Sequence, residues 1–136
     1  MHFEASLVLK VPRDKAYLAY TDFESWPKWS KDRSEVKVSR RDGNTVSFES
    51  HAGSRARALK LFPSERVESE GETRFSRTKS IVMFEDASEG TRVTASLDVE
   101  LKGHWSWLFK TQGKAVAEAS ALEELSSFAK YVESLP

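Results

Sequence analysis

The stretch from Thr91 to Leu101 constrains the fold more than any other. Val93, Ala95, Leu97, Val99 and Leu101 alternate there with Thr94, Ser96, Asp98 and Glu100. Period two sends the apolar side chains to one face and the polar ones to the other, as in an antiparallel sheet with one covered and one wet side. Such a sheet requires a cover, and the residues that follow supply one. From Trp105 to Leu135 there is no proline, and Leu108, Ala115, Leu122, Leu125, Ala129 and Val132 fall near one helical face. A helix of about 30 residues runs about 45 Å, long enough to lie across a whole curved sheet.

The rest of the chain reads as strands with a short helical interruption. Phe3, Ala5, Leu7 and Leu9 alternate with polar residues and predict an opening strand that Pro12 ends. Ala16, Tyr17, Ala19 and Tyr20 have helical spacing, and Thr21-Asp22 offers a cap for a second short helix that holds Pro27. Strands are predicted over Glu35–Arg41 and Thr45–His51, around Asp42-Gly43-Asn44, whose residue types suit a tight hairpin. Further strands follow over Arg55–Phe62, Arg66–Glu70, Arg74–Phe84 and Thr91–Leu101, the last two joined by a loop over Asp86–Gly90. The expected class is therefore α+β, with a curved antiparallel sheet of about seven strands, two short helices after the first strand, and a long C-terminal helix.

Composition narrows the chemistry. At 136 residues the chain predicts a single domain spanning 1–136, able to bury about two-thirds of its surface. The absence of cysteine excludes a disulfide framework, a thiol nucleophile and thiolate metal sites. Twenty-one basic against 21 acidic residues give no basic excess, so nucleic acid is not an expected partner. With no apolar run of 18 residues and no signal-peptide layout at MHFEASLVLK, a cytoplasmic location is expected. His2, His51 and His104 lack metal-ligand spacing, and neither a phosphate-binding glycine loop nor a nucleophile elbow is present. No metal and no cofactor are expected. Ser47, Glu49 and His51 share one strand face and read as a solvent-facing trio rather than a general-base site.

Three segments carry a resemblance: FEASLVLKVP (Phe3 to Pro12), DFESWPKW (Asp22 to Trp29), and GTRVTASLDVEL (Gly90 to Leu101) followed by a helix closing on LSSFAKYVE (Leu125 to Glu133). In this order the chain resembles the START-like superfamily of helix-grip proteins, which includes birch-pollen-allergen-like proteins, polyketide cyclases and coenzyme-Q-binding proteins. The resemblance spans essentially the full length. It implies a mostly apolar cavity between sheet and long helix that holds a hydrophobic small molecule such as a lipid, a quinone or a polyketide-like compound. It also implies two alternatives, a cyclase or aromatase using the same cavity, and a partner-binding module of the co-chaperone or ribosome-associated type.

The candidate lining is Trp26, Trp29, Phe48, Phe62, Phe84, Trp105, Leu108, Phe109, Gln112 and Val116. Trp26 and Trp29, three residues apart, face similar directions on a short helix. Trp105, Trp107, Leu108 and Phe109 concentrate apolar bulk before the long helix, suiting a lid or a transient membrane contact during ligand exchange. Gly113 and the alanines at 115, 117, 119 and 121 either let the helix approach the sheet or leave volume beneath it. Alternation puts Arg55 and Arg57 with Leu59 and Leu61, and Arg77 and Lys79 with Ile81 and Met83, so either a bulge flips the register or the outer face is partly apolar. An inward-pointing arginine would suit an anionic head group.

Overall fold

The computed structural model describes residues 2–30, 36–42, 45–50, 57–72, 76–101 and 113–136. Seven strands form one curved antiparallel sheet in the order β1-β7-β6-β5-β4-β3-β2. These are β1 (His2–Leu9), β2 (Val36–Asp42), β3 (Thr45–Ser50), β4 (Arg57–Phe62), β5 (Arg66–Glu72), β6 (Ser76–Ala87) and β7 (Gly90–Leu101). Helix α1 (Arg13–Thr21) and a 3-10 helix (Phe23–Lys28) follow β1, and helix α2 (Gly113–Ser134) closes the chain. The sheet and its covering helix are those expected from the alternation and the proline-free tail, and together they form the helix grip that the resemblance implies.

Register explains the two faces. Across β1, β7 and β6 the pairs Phe3↔Leu97↔Ser80, Ala5↔Ala95↔Val82 and Leu7↔Val93↔Phe84 form inward rows. The intervening rows, such as Glu4↔Ser96↔Ile81, face outward. Arg77, Lys79, Ile81 and Met83 all lie on that outward face and are exposed, so for β6 the second reading holds: the outer face is partly apolar there, whereas on β4 Leu59 and Leu61 are buried inward. The β6–β7 loop is shorter than the sequence suggested, because Ala87 pairs directly with Gly90 and leaves two residues between the strands.

Gly90 and Thr91 fix where β1 ends. Gly90 has φ +151°, and a Cβ there would overlap the Leu9 carbonyl oxygen and stand 2.9 Å from the Val11 nitrogen. The strand can approach this closely only with glycine in place. The buried Thr91 hydroxyl then donates to the Val11 carbonyl at 2.8 Å. Chain exit at Val11-Pro12 is thereby held, and α1 begins at once, its Ala16 N–H donating to the Pro12 carbonyl at 3.0 Å. Ala16, Tyr17, Ala19 and Tyr20 form its buried face.

Helix α2 buries Leu125, Phe128, Ala129 and Val132, an i, i+3, i+4, i+7 stripe. Leu122, expected on that stripe, is instead 43% exposed, because at 100° per residue it falls about 70° from the centre of the stripe, beyond its Ala129 edge. The helix also runs beside β1, which is an edge of the sheet. Glu4 N–H donates to Glu118 Oε2 and Lys10 N–H to Glu133 Oε1, each at 3.2 Å. From Glu4 to Lys10 the strand advances about 20 Å, and from Glu118 to Glu133 the helix advances about 22 Å. The matched lengths let two helix carboxylates satisfy outward edge donors, which blunts the edge against foreign strands.

Candidate functional site

The C-terminal end of α1, the 3-10 helix, the inward rows of the sheet and α2 converge on one aromatic cluster. Tyr20 is its centre, with ring centroids 5.6 Å from Trp26, 5.9 Å from Trp29, 5.7 Å from Phe84 and 5.5 Å from Phe128. Beside it lies a pocket of about 170 Å³ lined by Phe3, Tyr20, Trp29, Ser80, Val82, Ala95, Ser96, Leu97, Ala121, Glu124, Leu125 and Phe128. The volume arises where inward positions carry small side chains: Ser80 and Ala95 on the sheet and Ala121 on the helix. It is close to the roughly 150 Å³ at which an engineered apolar cavity accepts benzene.

Polar groups are few and placed. The buried Ser30 hydroxyl donates to Glu124 Oε1 at 2.8 Å, tying the segment after the 3-10 helix to α2. Backbone geometry holds that segment, since the Trp29 and Ser30 N–H groups both donate to the Trp26 carbonyl, at 3.1 and 2.9 Å. Trp29 Nε1 is buried with no hydrogen-bond partner among the described residues.

The two tryptophans of the DFESWPKW segment divide their tasks. Trp26 is 1% exposed, and its Nε1–H donates to the Tyr20 carbonyl at 2.7 Å. That bond caps an end carbonyl of α1, so Trp26 serves the fold. Trp29 faces the pocket. Phe84 is buried, its ring edge-on to Tyr17 at 5.6 Å, and belongs to the packing of α1 on β6. Phe62 lies on the outer face opposite Leu61, half-buried beneath the Arg66 guanidinium, whose central carbon stands 3.9 Å from the ring centroid. A lining role for Phe62 is thereby corrected: with Leu59 and Leu61 inward, period two turns Phe62 outward. Val116 is 62% exposed and outside the pocket lining, a second correction, since the buried stripe of α2 lies on another side of the helix.

Phe48 pairs with Arg57 across β3 and β4 and its side chain lies outside the described ones, as does that of Arg57. Arg55, Trp105, Trp107, Leu108, Phe109 and Gln112 lie outside the described residues, as do His51 and His104. Of the alanine run, Ala115 and Ala119 are exposed and Ala121 lines the pocket. A helix cannot turn alternate residues to one side.

Phe3, Ala95, Leu97 and Leu125 are pocket residues that alternation and helical spacing already marked as inward. Tyr20 was marked only as an apolar position of a short helix, and Phe128 and Glu124 were not marked, because their roles depend on where α1 and α2 meet the sheet. A second groove, of about 260 Å³, crosses the outer faces of β4 to β6. Its walls carry Lys60, Glu68, Glu70 and Lys79, with Lys79 Nζ 3.9 Å from Glu70 Oε1, so it is a solvated face laced with ion pairs. Among the described residues no helix is long and apolar enough to cross a membrane.

Residues 1–133 match the family model described as polyketide cyclase/dehydrase and lipid transport. Comparison with curated protein sequences finds no match. Solved structures share the fold at low identity. The Zhui aromatase/cyclase of Streptomyces sp. R1128 superposes with a TM-score of 0.84 at 12% identity, over 98% of this chain and 93% of that one. Protein TTHA0849 of Thermus thermophilus gives 0.81 at 18%, over 97% of each chain. A START superfamily protein of Mycobacterium smegmatis gives 0.77 at 13%, over 99% of each. Likeness at such identities speaks to fold alone, but the family match covers nearly every residue. The chain belongs to the polyketide cyclase/dehydrase and lipid transport family.

Proposed function

We propose that residues 1–136 act as one ligand-binding domain that holds a hydrophobic small molecule between the sheet and α2. The supporting observation is the pocket of about 170 Å³, walled by aromatic and aliphatic side chains, with Glu124 as the one carboxylate among the described lining residues. Burial of the ligand's apolar area drives binding, and the few polar groups set its orientation. The volume suits a single ring or a short acyl portion of a lipid, quinone or polyketide-like compound. Native mass spectrometry of the purified protein, with organic extraction, should reveal a stoichiometric small molecule or uptake of one from a panel of such compounds. Failure to take up any apolar compound would overturn the proposal.

A cyclase-type reaction in the same pocket is the second reading, and Glu124 favours it. The carboxylate lines the pocket and is oriented by Ser30, an arrangement suited to moving a proton on a bound chain. Under this reading Glu124→Gln abolishes turnover of a polyketone substrate while binding persists. Under simple carriage the wild-type protein releases such a substrate chemically unchanged.

A further inference from the structure

Trp26 and Trp29 carry the same donor three residues apart, and the fold uses one of them. Trp26 Nε1–H donates to a backbone carbonyl. Trp29 Nε1–H is buried and has no acceptor among the described residues, although its side chain is only 7% exposed. An indole nitrogen donates and never accepts, so only an incoming oxygen or nitrogen lone pair can satisfy it. Buried donors are seldom left orphaned in native proteins. The ring itself is held in place by Phe128 at 5.0 Å, Tyr20 at 5.9 Å and Trp26 at 6.1 Å between centroids.

We infer that Trp29 Nε1–H is the polar anchor of the pocket, and that the ligand is a neutral, ring-sized apolar molecule presenting a carbonyl or ether oxygen to it. This rests on the proposal that the pocket binds an apolar small molecule, and adds the chemistry that selects among such molecules. A ligand without an acceptor keeps the donor buried and unpaired, and forfeits affinity for that reason. An anionic acceptor meets the Glu124 carboxylate in the same lining, which Ser30 holds from the position next to Trp29. The acceptor is therefore neutral.

Three probes of nearly equal shape test the anchor by NMR titration: acetophenone, α-methylstyrene, in which a methylidene replaces the carbonyl oxygen, and benzoate. Acetophenone should bind the wild-type protein at least about tenfold more tightly than α-methylstyrene, the loss expected for an unpaired buried donor. It should also move the Trp29 indole N–H resonance downfield, and benzoate should bind more weakly than acetophenone. In Trp29→Phe, which keeps an aromatic ring and removes the donor, the acetophenone to α-methylstyrene ratio should fall to near one. Equal binding of the two neutral probes to the wild-type protein overturns the anchor and leaves the apolar-pocket reading standing. Benzoate binding as tightly as acetophenone overturns the neutral class. If no probe binds, the anchor and the pocket reading fall together. The wild-type comparison does not depend on how well the variant folds.

Discussion

At the scale of single residues, Gly90 has no room for a side chain. Its positive φ and the nearness of the Leu9 carbonyl oxygen leave no space for a Cβ. Gly90→Ala should lower the free energy of unfolding by at least about 2 kcal/mol, combining backbone strain with displacement of β1. Urea denaturation would measure this, and a loss below about 0.5 kcal/mol would mean that the hairpin shifts freely. His2 offers a pH-dependent case. Hydrogen bonds to Asp98 Oδ1 at 2.8 Å and Glu4 Oε2 at 3.3 Å hold the imidazolium and raise its pKa above the ordinary 6.5. A raised folded-state value stabilises fully below the unfolded pKa, and the contribution fades as pH rises through the folded one. The Tm advantage of wild type over His2→Gln should thus be present at pH 5.5 and gone at pH 8.5, and small throughout because the group is exposed. An advantage that grew with pH would contradict the assignment.

At the scale of elements, the informative contact is α2 along β1. Glu118 and Glu133 take the outward N–H groups of Glu4 and Lys10, so the helix both covers the sheet and seals its edge. Glu118→Ala with Glu133→Ala should cost about 1 kcal/mol or less per bond, because water replaces these exposed acceptors. The clearer readout is local: hydrogen exchange at the Glu4 and Lys10 amides should quicken while the β6 and β7 amides keep their protection. Uniform loss of protection would show instead that the carboxylates hold the helix on the sheet. The two short helices behave differently, since aromatic packing against the sheet and α2 holds them in place. Tyr20, Trp26 and Trp29 lock α1 and the 3-10 helix against Phe84 and Phe128, and that lock places Trp29 at the pocket.

At the scale of the whole molecule, the pocket couples binding to stability. A ligand that occupies only the folded state stabilises it by RT ln(1 + [L]/Kd), about 2.7 kcal/mol at a hundredfold excess over Kd. Acetophenone should therefore raise Tm in a concentration-dependent way, and Ala121→Leu, which fills the pocket from α2, should remove that response while the variant stays folded. A ligand response unchanged by Ala121→Leu would place the binding elsewhere. The sequence by itself determined the strands, their inward rows and the covering helix. Alternation in β7 and a 3.6-residue stripe in α2 are local properties of covalent geometry, legible one segment at a time. The same alternation separates Leu59 and Leu61, inward, from Phe62, outward. Tertiary structure alone decided which tryptophan serves the fold and which faces the pocket, because Trp26 finds its acceptor on Tyr20 and Trp29 finds none among the described residues. It alone set Glu124 against Ser30, 94 residues apart in the chain. A void forms where small side chains from distant segments, here Ser80, Ala95 and Ala121, happen to meet, and no single segment encodes that meeting.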